Sequence, residues 1–104
     1  MGKKILLEHA AELNALCKAN SVKSLFVFGS VVTDKFDEEK SDIDFVVELN
    51  NLNDPLLIGE QMLNLWNGLE KTFNRSVDLL RIENISNPIL KQRIEKSKEL
   101  VYAA

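Results

Sequence analysis

Two aspartates, Asp42 and Asp44, are separated by one residue and precede the apolar run Phe45-Val46-Val47. That run is rich in β-branched and aromatic residues and is typical of a strand. Residues two apart on a strand point to the same face, so the two carboxylates should lie side by side. Carboxylates held this close repel each other unless a cation lies between them, and oxygen ligands favour Mg²⁺. The spacing therefore predicts a divalent metal site.

A third acid, Asp78, interrupts the apolar stretch Ser76–Ile82, which also has the composition of a strand. Burying an unpaired charge among apolar neighbours is costly, so this carboxylate needs a partner. If the strands are neighbours, three carboxylates converge and could hold the two divalent ions that serve in-line phosphoryl or nucleotidyl transfer. The structural alternative is that Asp78 pairs with Arg75 or Arg81, and that the Asp-x-Asp pair is a strand cap and a surface acid.

The dipeptide Gly29-Ser30 follows another apolar run, Leu25–Phe28, which predicts the first strand. A turn of this kind could present backbone N–H groups and a hydroxyl to phosphate oxygens, because glycine allows close approach. A Gly-Ser turn alone is common. It becomes informative here because a spacer of eleven residues leads from it to the Asp-x-Asp pair.

The remaining pattern predicts the elements that must position these residues. The predicted order is α-β-β-α-β-α in one domain over residues 1–104, with a small mixed sheet of about three strands flanked by helices, an α/β (α+β) class. The predicted helices are Lys4–Asn20, Leu56–Phe73 behind Asp54-Pro55, and Pro88–Val101 behind the cap Asn87; the second strand is Ile43–Leu49.

Four smaller expectations accompany this order. His9 is expected at the surface or boundary of the first helix, with no metal role. Met62 and Trp66 lie on the apolar stripe of the second helix and are expected to pack in the core. Gly68 in the same helix predicts the close approach of another backbone. Residues 102–104 are expected to form a tail.

Composition limits the classes of function. A net charge of −3 and a pI of about 5.1 argue against direct binding to a nucleic-acid backbone. No stretch approaches the roughly 20 apolar residues of a membrane helix, and the first residues do not predict a signal peptide. A single cysteine, Cys17, is typical of a reducing compartment, so the expected location is the cytoplasm.

The segments FVFGS and SDIDFVVE, followed by SVDLL, resemble the DNA polymerase beta-type nucleotidyltransferase superfamily. The chain length and the segment from Asn87 to Tyr102 resemble the minimal nucleotidyltransferases (MNT proteins). The resemblance covers Leu25 to Tyr102 and implies the polymerase beta-type nucleotidyltransferase fold.

The resemblance also implies roles for individual residues. Asp42 and Asp44 would bind two Mg²⁺ ions, and Asp78 would complete one metal site and help to activate the acceptor hydroxyl. Gly29 and Ser30 would contact the phosphates of ATP.

Members of this family commonly act as antitoxins paired with a HEPN-domain ribonuclease toxin. The resemblance therefore implies a Mg²⁺-dependent enzyme that transfers AMP from ATP to a tyrosine of the toxin. One alternative is a binding module that neutralises its partner by contact; relatives often carry an Arg-Ala pair where this chain has Val31-Val32. The other alternative is a nucleotidyltransferase acting on a small molecule, although such chains usually add a second domain for the acceptor.

Overall fold

The computed structural model describes residues 2–29, 42–50 and 53–104. Four α-helices and four β-strands occur in these ranges, together with a 3₁₀ turn at Ile82–Asn84. In chain order they are α1 (Gly2–Glu8), α2 (Ala10–Ala19), β1 (Val22–Phe28), β2 (Ile43–Leu49), α3 (Pro55–Phe73), β3 (Val77–Arg81), α4 (Pro88–Ser97) and β4 (Glu99–Ala103).

The four strands form one mixed sheet in the order β3-β2-β1-β4. Strand β1 pairs antiparallel with both β2 and β4, whereas β2 and β3 are parallel. Helix α3 makes the crossover between these parallel strands, in agreement with the predicted α-β-β-α-β-α order. The mixed α/β class is confirmed, with one strand more than the approximately three expected.

The main core lies on one face of the sheet, between the strands and helices α1, α2 and α3. On β2, Ile43, Phe45 and Val47 are fully buried in this core. The other face carries Asp44 and Glu48, which are half-buried, and Val46, which is fully buried but outside the main core cluster. The helices contribute a second set of buried side chains to the same cluster: Leu6, Leu13, Cys17, Leu65, Leu69 and Phe73. The acid-bearing face of β2 is therefore opposite the main core.

Two predicted helix starts are confirmed. The side chain of Asp54 accepts a hydrogen bond from the N–H of Leu56 at 3.0 Å, at the start of α3. Asn87 accepts from the N–H groups of Ile89 and Leu90, at 2.9 and 3.2 Å, at the start of α4. A proline occupies the first position of both helices, where its missing N–H is not needed.

The predicted end of the chain is wrong in two respects. Helix α4 stops at Ser97, and residues 99–103 form β4 instead of continuing the helix or forming a tail. Tyr102 pairs with Leu25 and is only 9% exposed. The physical reason is the free edge of β1, which offers β4 a full set of backbone partners that no local sequence pattern reveals.

The predicted first helix is broken rather than continuous. Its backbone leaves the helical conformation at His9, which separates α1 from α2. The His9 ring lies 2.9 Å from a carboxylate oxygen of Glu12 and edge-on to the ring of Phe73. These contacts agree with the boundary position expected for this histidine. Strand β1 also begins earlier than predicted, at Val22.

Gly68 is tightly packed, but against a side chain. A Cβ at this position would lie 2.4 Å from Cδ1 of Leu16 on α2. The expectation that another backbone approaches Gly68 is therefore wrong, because α2 and α3 meet through a leucine that fills the space above the glycine. No helix in the described part of the chain combines the length and apolar composition needed to cross a bilayer.

Candidate active site

The pairing of β2 and β3 brings two of the predicted acids together. In the parallel register Asp44 lies opposite Asp78, and on its other side Asp44 pairs with Phe28, the last residue of β1. The Asp78 carboxyl group is close enough to raise the pKa of Asp44. The sequence prediction depended on these strands being neighbours, and the structure shows that they are.

Burial and two neighbouring carboxylates perturb the ionisation of Asp44. Its pKa is raised from 3.8 to about 6, first by burial, then by the hydrogen bond and negative charge of Asp78, and last by the charge of Asp42. Each cause disfavours the ionised carboxylate. A cation placed here would act in the opposite sense and stabilise the ionised form.

Asp42 is less closely engaged than the other two acids. Its side chain is exposed just before β2, although its charge reaches Asp44. Among residues 2–29, 42–50 and 53–104, no three His, Cys, Asp or Glu side chains are grouped so that they could hold a metal ion. The structure thus joins Asp44 and Asp78 and places Asp42 in electrostatic range. The donor chemistry of this pair fits a hard divalent cation, because every donor is a carboxylate oxygen.

Gly29 lies directly against this carboxylate pair. Its φ angle is +74°, a conformation that side chains other than glycine rarely adopt. A Cβ at this position would lie 2.5 Å from Oδ2 of Asp44. Glycine therefore brings the backbone after β1 right up to the acidic site. Ser30 and Val31-Val32 lie outside the described residues.

Arg81, one of the two arginines considered as an ion-pair partner of Asp78, is paired with another acid. The guanidinium of Arg81 pairs with Glu83, with 2.9 Å between Nη2 and Oε2. Asp78 itself is exposed on the strand face that it shares with Leu80. Its position in an apolar strand is thus explained by access to the site and to solvent rather than by an ion pair with Arg81.

The sequence analysis missed a cavity of about 690 Å³ beside the two carboxylates. Apart from Asp44 and Asp78, its lining is apolar: Phe28, Met62, Leu63, Trp66, Val77, Leu79, Leu80 and Leu90. Trp66 was expected in the core but is 39% exposed on the cavity wall. The available signal was Leu63, an apolar residue beside the predicted stripe of α3 that is 54% exposed.

Helix α3 also holds the start of β3 in place. The Trp66 Nε1–H donates to the carbonyl oxygen of Val77 at 2.8 Å, and the Val77 N–H donates to Oε2 of Glu70 at 3.0 Å. The neighbouring Ser76 carbonyl faces β2 instead and accepts from the N–H of Ile43. Both outward polar groups of Val77, the residue before Asp78, are therefore fixed by side chains of one helix.

Comparison with known proteins agrees with this geometry. The family model described as "Polymerase beta, Nucleotidyltransferase" matches residues 11–104. The curated protein "Putative protein adenylyltransferase MJ1379" of Methanocaldococcus jannaschii is 38% identical over 100 residues, which cover 96% of this chain and 92% of that protein.

Solved structures share the fold at lower identity. A crystal structure of a toxin-antitoxin with AMP-PNP has a TM-score of 0.67 at 19% identity, covering 91% of this chain and 73% of the other. A tri-AMPylated HEPN toxin from Shewanella oneidensis in complex with an MNT antitoxin has a TM-score of 0.59 at 18% identity, covering 100% and 74%. The family match, the curated relative and the fold lead to one conclusion: the chain belongs to the polymerase beta nucleotidyltransferase family and is a nucleotidyltransferase.

Proposed function

We propose that this protein is a Mg²⁺-dependent adenylyltransferase that moves AMP from ATP to a tyrosine hydroxyl of a HEPN-domain ribonuclease toxin, and that it is the antitoxin of that toxin. The observation that carries the proposal is the position of Asp44 opposite Asp78 on the parallel strands β2 and β3, with the backbone of Gly29 against Asp44. The name of the curated relative and the toxin-antitoxin complexes that share the fold support the choice of substrate.

In this proposal residues 1–104 act as one minimal nucleotidyltransferase domain, and Asp42, Asp44 and Asp78 hold two Mg²⁺ ions. The raised pKa of Asp44 supports this role, because burial and neighbouring carboxylates disfavour its charge until a cation is present. When bound, the ions neutralise phosphate charge and make the acceptor hydroxyl more acidic.

The nucleotide is held on the β1 side of the site. The backbone at Gly29 can approach the triphosphate because it carries no side chain, and Ser30 is the next residue along the chain. In the transfer, the acceptor oxygen forms a bond to the α-phosphorus of ATP while the bond to the β-phosphate bridge breaks. Pyrophosphate leaves, and the carboxylate of Asp78 takes the proton of the hydroxyl.

The protein is proposed to act in the cytoplasm, where both ATP and a ribonuclease toxin would be found. Its net charge of −3 favours contact with a basic protein and disfavours direct contact with the RNA that such a toxin cleaves.

The test is mass spectrometry of a HEPN-domain toxin from the same organism, after incubation with this protein, ATP and Mg²⁺. We expect a mass increase of one or more AMP units on a tyrosine. The matched control is the double variant Asp42→Asn/Asp44→Asn, which should give no increase while remaining folded. An unmodified toxin in a stable complex, or neutralisation that survives in the double variant, would replace this proposal with inhibition by contact.

A further inference from the structure

Lys98 connects α4 to β4 and places its ammonium group on the face of the sheet that carries Asp44. The Nζ atom lies 4.6 Å from the centre of the Phe26 ring. Phe26 pairs with Val46, which is two residues from Asp44 on β2, so these side chains share one face. The Lys98 side chain is only 23% exposed. Its charge is therefore held against the sheet rather than extended into solvent.

The strand registers align this lysine with the acids in one row across the sheet. The antiparallel register of β1 with β4, continued by one residue, puts Lys98 beside Phe28. Phe28 pairs with Asp44, and Asp44 pairs with Asp78. Neighbouring strands are about 4.8 Å apart, so the Cα atoms of Lys98 and Asp44 are about 10 Å apart. The lysine and the acid pair therefore lie on either side of the end of β1.

Gly29 lies between these two groups. It follows Phe28 at the end of β1, and its backbone packs against Asp44. A triphosphate at Gly29 has the metal-binding carboxylates on one side and the ammonium group of Lys98 on the other. Phosphate oxygens that are not neutralised by metal ions form strong hydrogen bonds with a lysine. The row is therefore complementary to an elongated chain of phosphates.

Two cations on the described strands lie elsewhere. Lys23 is at the opposite end of β1 from Gly29, and its Nζ lies 3.7 Å from Oε2 of Glu48. Arg81 pairs in register with Val47, which faces the main core, so its side chain leaves from the opposite face of the sheet. Neither cation is beside the end of β1 on the acidic face.

The present ion pair of Lys98 is weak. Its Nζ lies 3.2 Å from Oε1 of Glu95, whose side chain is 54% exposed. Exposed ion pairs contribute little to stability, because water and salt screen them. The Phe26 ring adds a cation–π contact that keeps the lysine stem against the sheet. The ammonium group is thus held near the row and can turn from Phe26 toward a phosphate at the end of β1.

We propose that Lys98 binds the β- and γ-phosphates of the nucleotide and stays with them when they leave as pyrophosphate. The ammonium group exchanges its contact with Glu95 for phosphate oxygens. Lys98 stays protonated throughout, and pyrophosphate takes the electron pair of the broken bond to the α-phosphorus. By neutralising charge on this leaving group, Lys98 favours the cleavage. The assignment rests on the proposed function, which places the triphosphate at Gly29.

The direct test compares ATP, pyrophosphate and AMP as ligands by calorimetry in the presence of Mg²⁺. In Lys98→Met the apolar stem still covers Phe26, but the charge is absent. We expect Kd for ATP and for pyrophosphate to rise about tenfold and Kd for AMP to stay unchanged, because AMP lacks the two outer phosphates. Lys98→Arg should restore ATP binding. An equal loss for ATP and AMP, or no loss for ATP, would overturn the proposal.

Two control variants separate phosphate binding from a structural role of Lys98. Lys96→Met removes the same charge at an exposed position on α4 and should leave Kd for ATP unchanged. Glu95→Gln releases Lys98 from its ion pair and should not weaken ATP binding. If Glu95→Gln weakens it as much as Lys98→Met does, Lys98 acts through its contact with Glu95 and the proposal is wrong. Thermal unfolding midpoints show whether each variant is folded.

The two proposals fail in different ways, because the binding test needs no acceptor. If the unmodified protein transfers AMP to no protein, the transfer proposal fails, and the comparison of ATP with AMP still decides the role of Lys98. If a toxin is modified and Lys98→Met keeps the normal Kd for ATP, the role of Lys98 is refuted and the transfer proposal stands. A protein that binds no ATP in the presence of Mg²⁺ would refute both.

Discussion

Gly29 faces the carboxylate of Asp44 with no space for a side chain between them, since a Cβ at position 29 would lie 2.5 Å from Oδ2. The backbone that follows β1 therefore packs directly against the acid on β2. The positive φ angle at Gly29 adds a second requirement for glycine, because other residues are strained there. Any substitution at this position should disturb the acid and the backbone together.

The first prediction concerns Gly29→Ala. The new methyl group forces Asp44 to move, so the rate of AMP transfer should fall by about a hundredfold. The left-handed conformation should also lower the free energy of unfolding by about 1–2 kcal/mol. Initial rates and urea denaturation measure the two effects.

The matched control for this change is Gly59→Ala on α3, where a Cβ would meet nothing within 4 Å. It should raise the free energy of unfolding by about 0.5–1 kcal/mol and keep the normal rate. A wild-type transfer rate in Gly29→Ala would show that Asp44 does not need its present position.

The second prediction is a pH dependence that originates at Asp44. Its pKa is raised from 3.8 to about 6, so between these values the folded protein binds a proton that the unfolded chain has released. The stability that this group contributes is complete below pH 3.8 and is lost as the pH rises through about 6. Asp44→Asn should therefore be more stable than the unmodified protein above pH 6 while it transfers no nucleotide.

Thermal unfolding midpoints measured across this pH range test that prediction. Mg²⁺ should stabilise the unmodified protein above pH 6 and have little effect on Asp44→Asn, because the ion needs the ionised carboxylate. The control is Glu60→Gln, which removes one negative charge from an exposed position on α3. A difference between Asp44→Asn and the unmodified protein that does not change with pH would contradict the assignment to Asp44.

The third prediction is that the Cys17 thiol does not react in the folded protein. The side chain is fully buried, and burial raises the pKa of the thiol to about 12. Burial excludes reagents from the side chain, and the raised pKa keeps the thiol protonated at neutral pH, so little reactive thiolate is present. Alkylation followed by mass spectrometry should therefore give labelling only at urea concentrations that unfold the protein. Rapid labelling without urea would mean that α2 opens locally in the native state.

The fourth prediction concerns the contact between Gly68 and Leu16. Gly68→Ala should improve the helix propensity of α3 by about 1 kcal/mol, yet its Cβ would lie 2.4 Å from Cδ1 of Leu16. We expect the contact to outweigh the propensity, so that the single variant is less stable. In the double variant with Leu16→Ala the clash is absent, and the cycle should show a favourable coupling of about 0.5–3 kcal/mol. Additive effects would mean that Leu16 moves aside without cost.

Local signals in the sequence predicted much of the fold. Strand β2 has the predicted bounds, Ile43–Leu49, because its β-branched run favours a strand and the flanking turn residues mark both of its ends. Asp54 and Asn87 cap their helices as expected, since a cap depends on only a few neighbouring residues. The pairing of Asp44 with Asp78 could be predicted once the two strands were taken as neighbours.

The features that depend on distant contacts were not predictable in this way. Strand β4 exists because β1 has a free edge, and nothing local in residues 99–103 excludes another helical turn. Trp66 fits an apolar helical stripe whether it lies in the core or in a cavity wall. Only its hydrogen bond to Val77 and the position of α4 decide between the two.

The side chains of Trp66 and Glu70 that bind Val77 also protect an edge of the sheet. Strand β3 is an edge strand, and its outward N–H and C=O at Val77 would otherwise be available to a strand from another molecule. Because both groups are occupied, a strand from another molecule cannot pair with β3 at Val77, the position directly before Asp78. Helix α3 therefore protects the part of this edge that is nearest the acidic site.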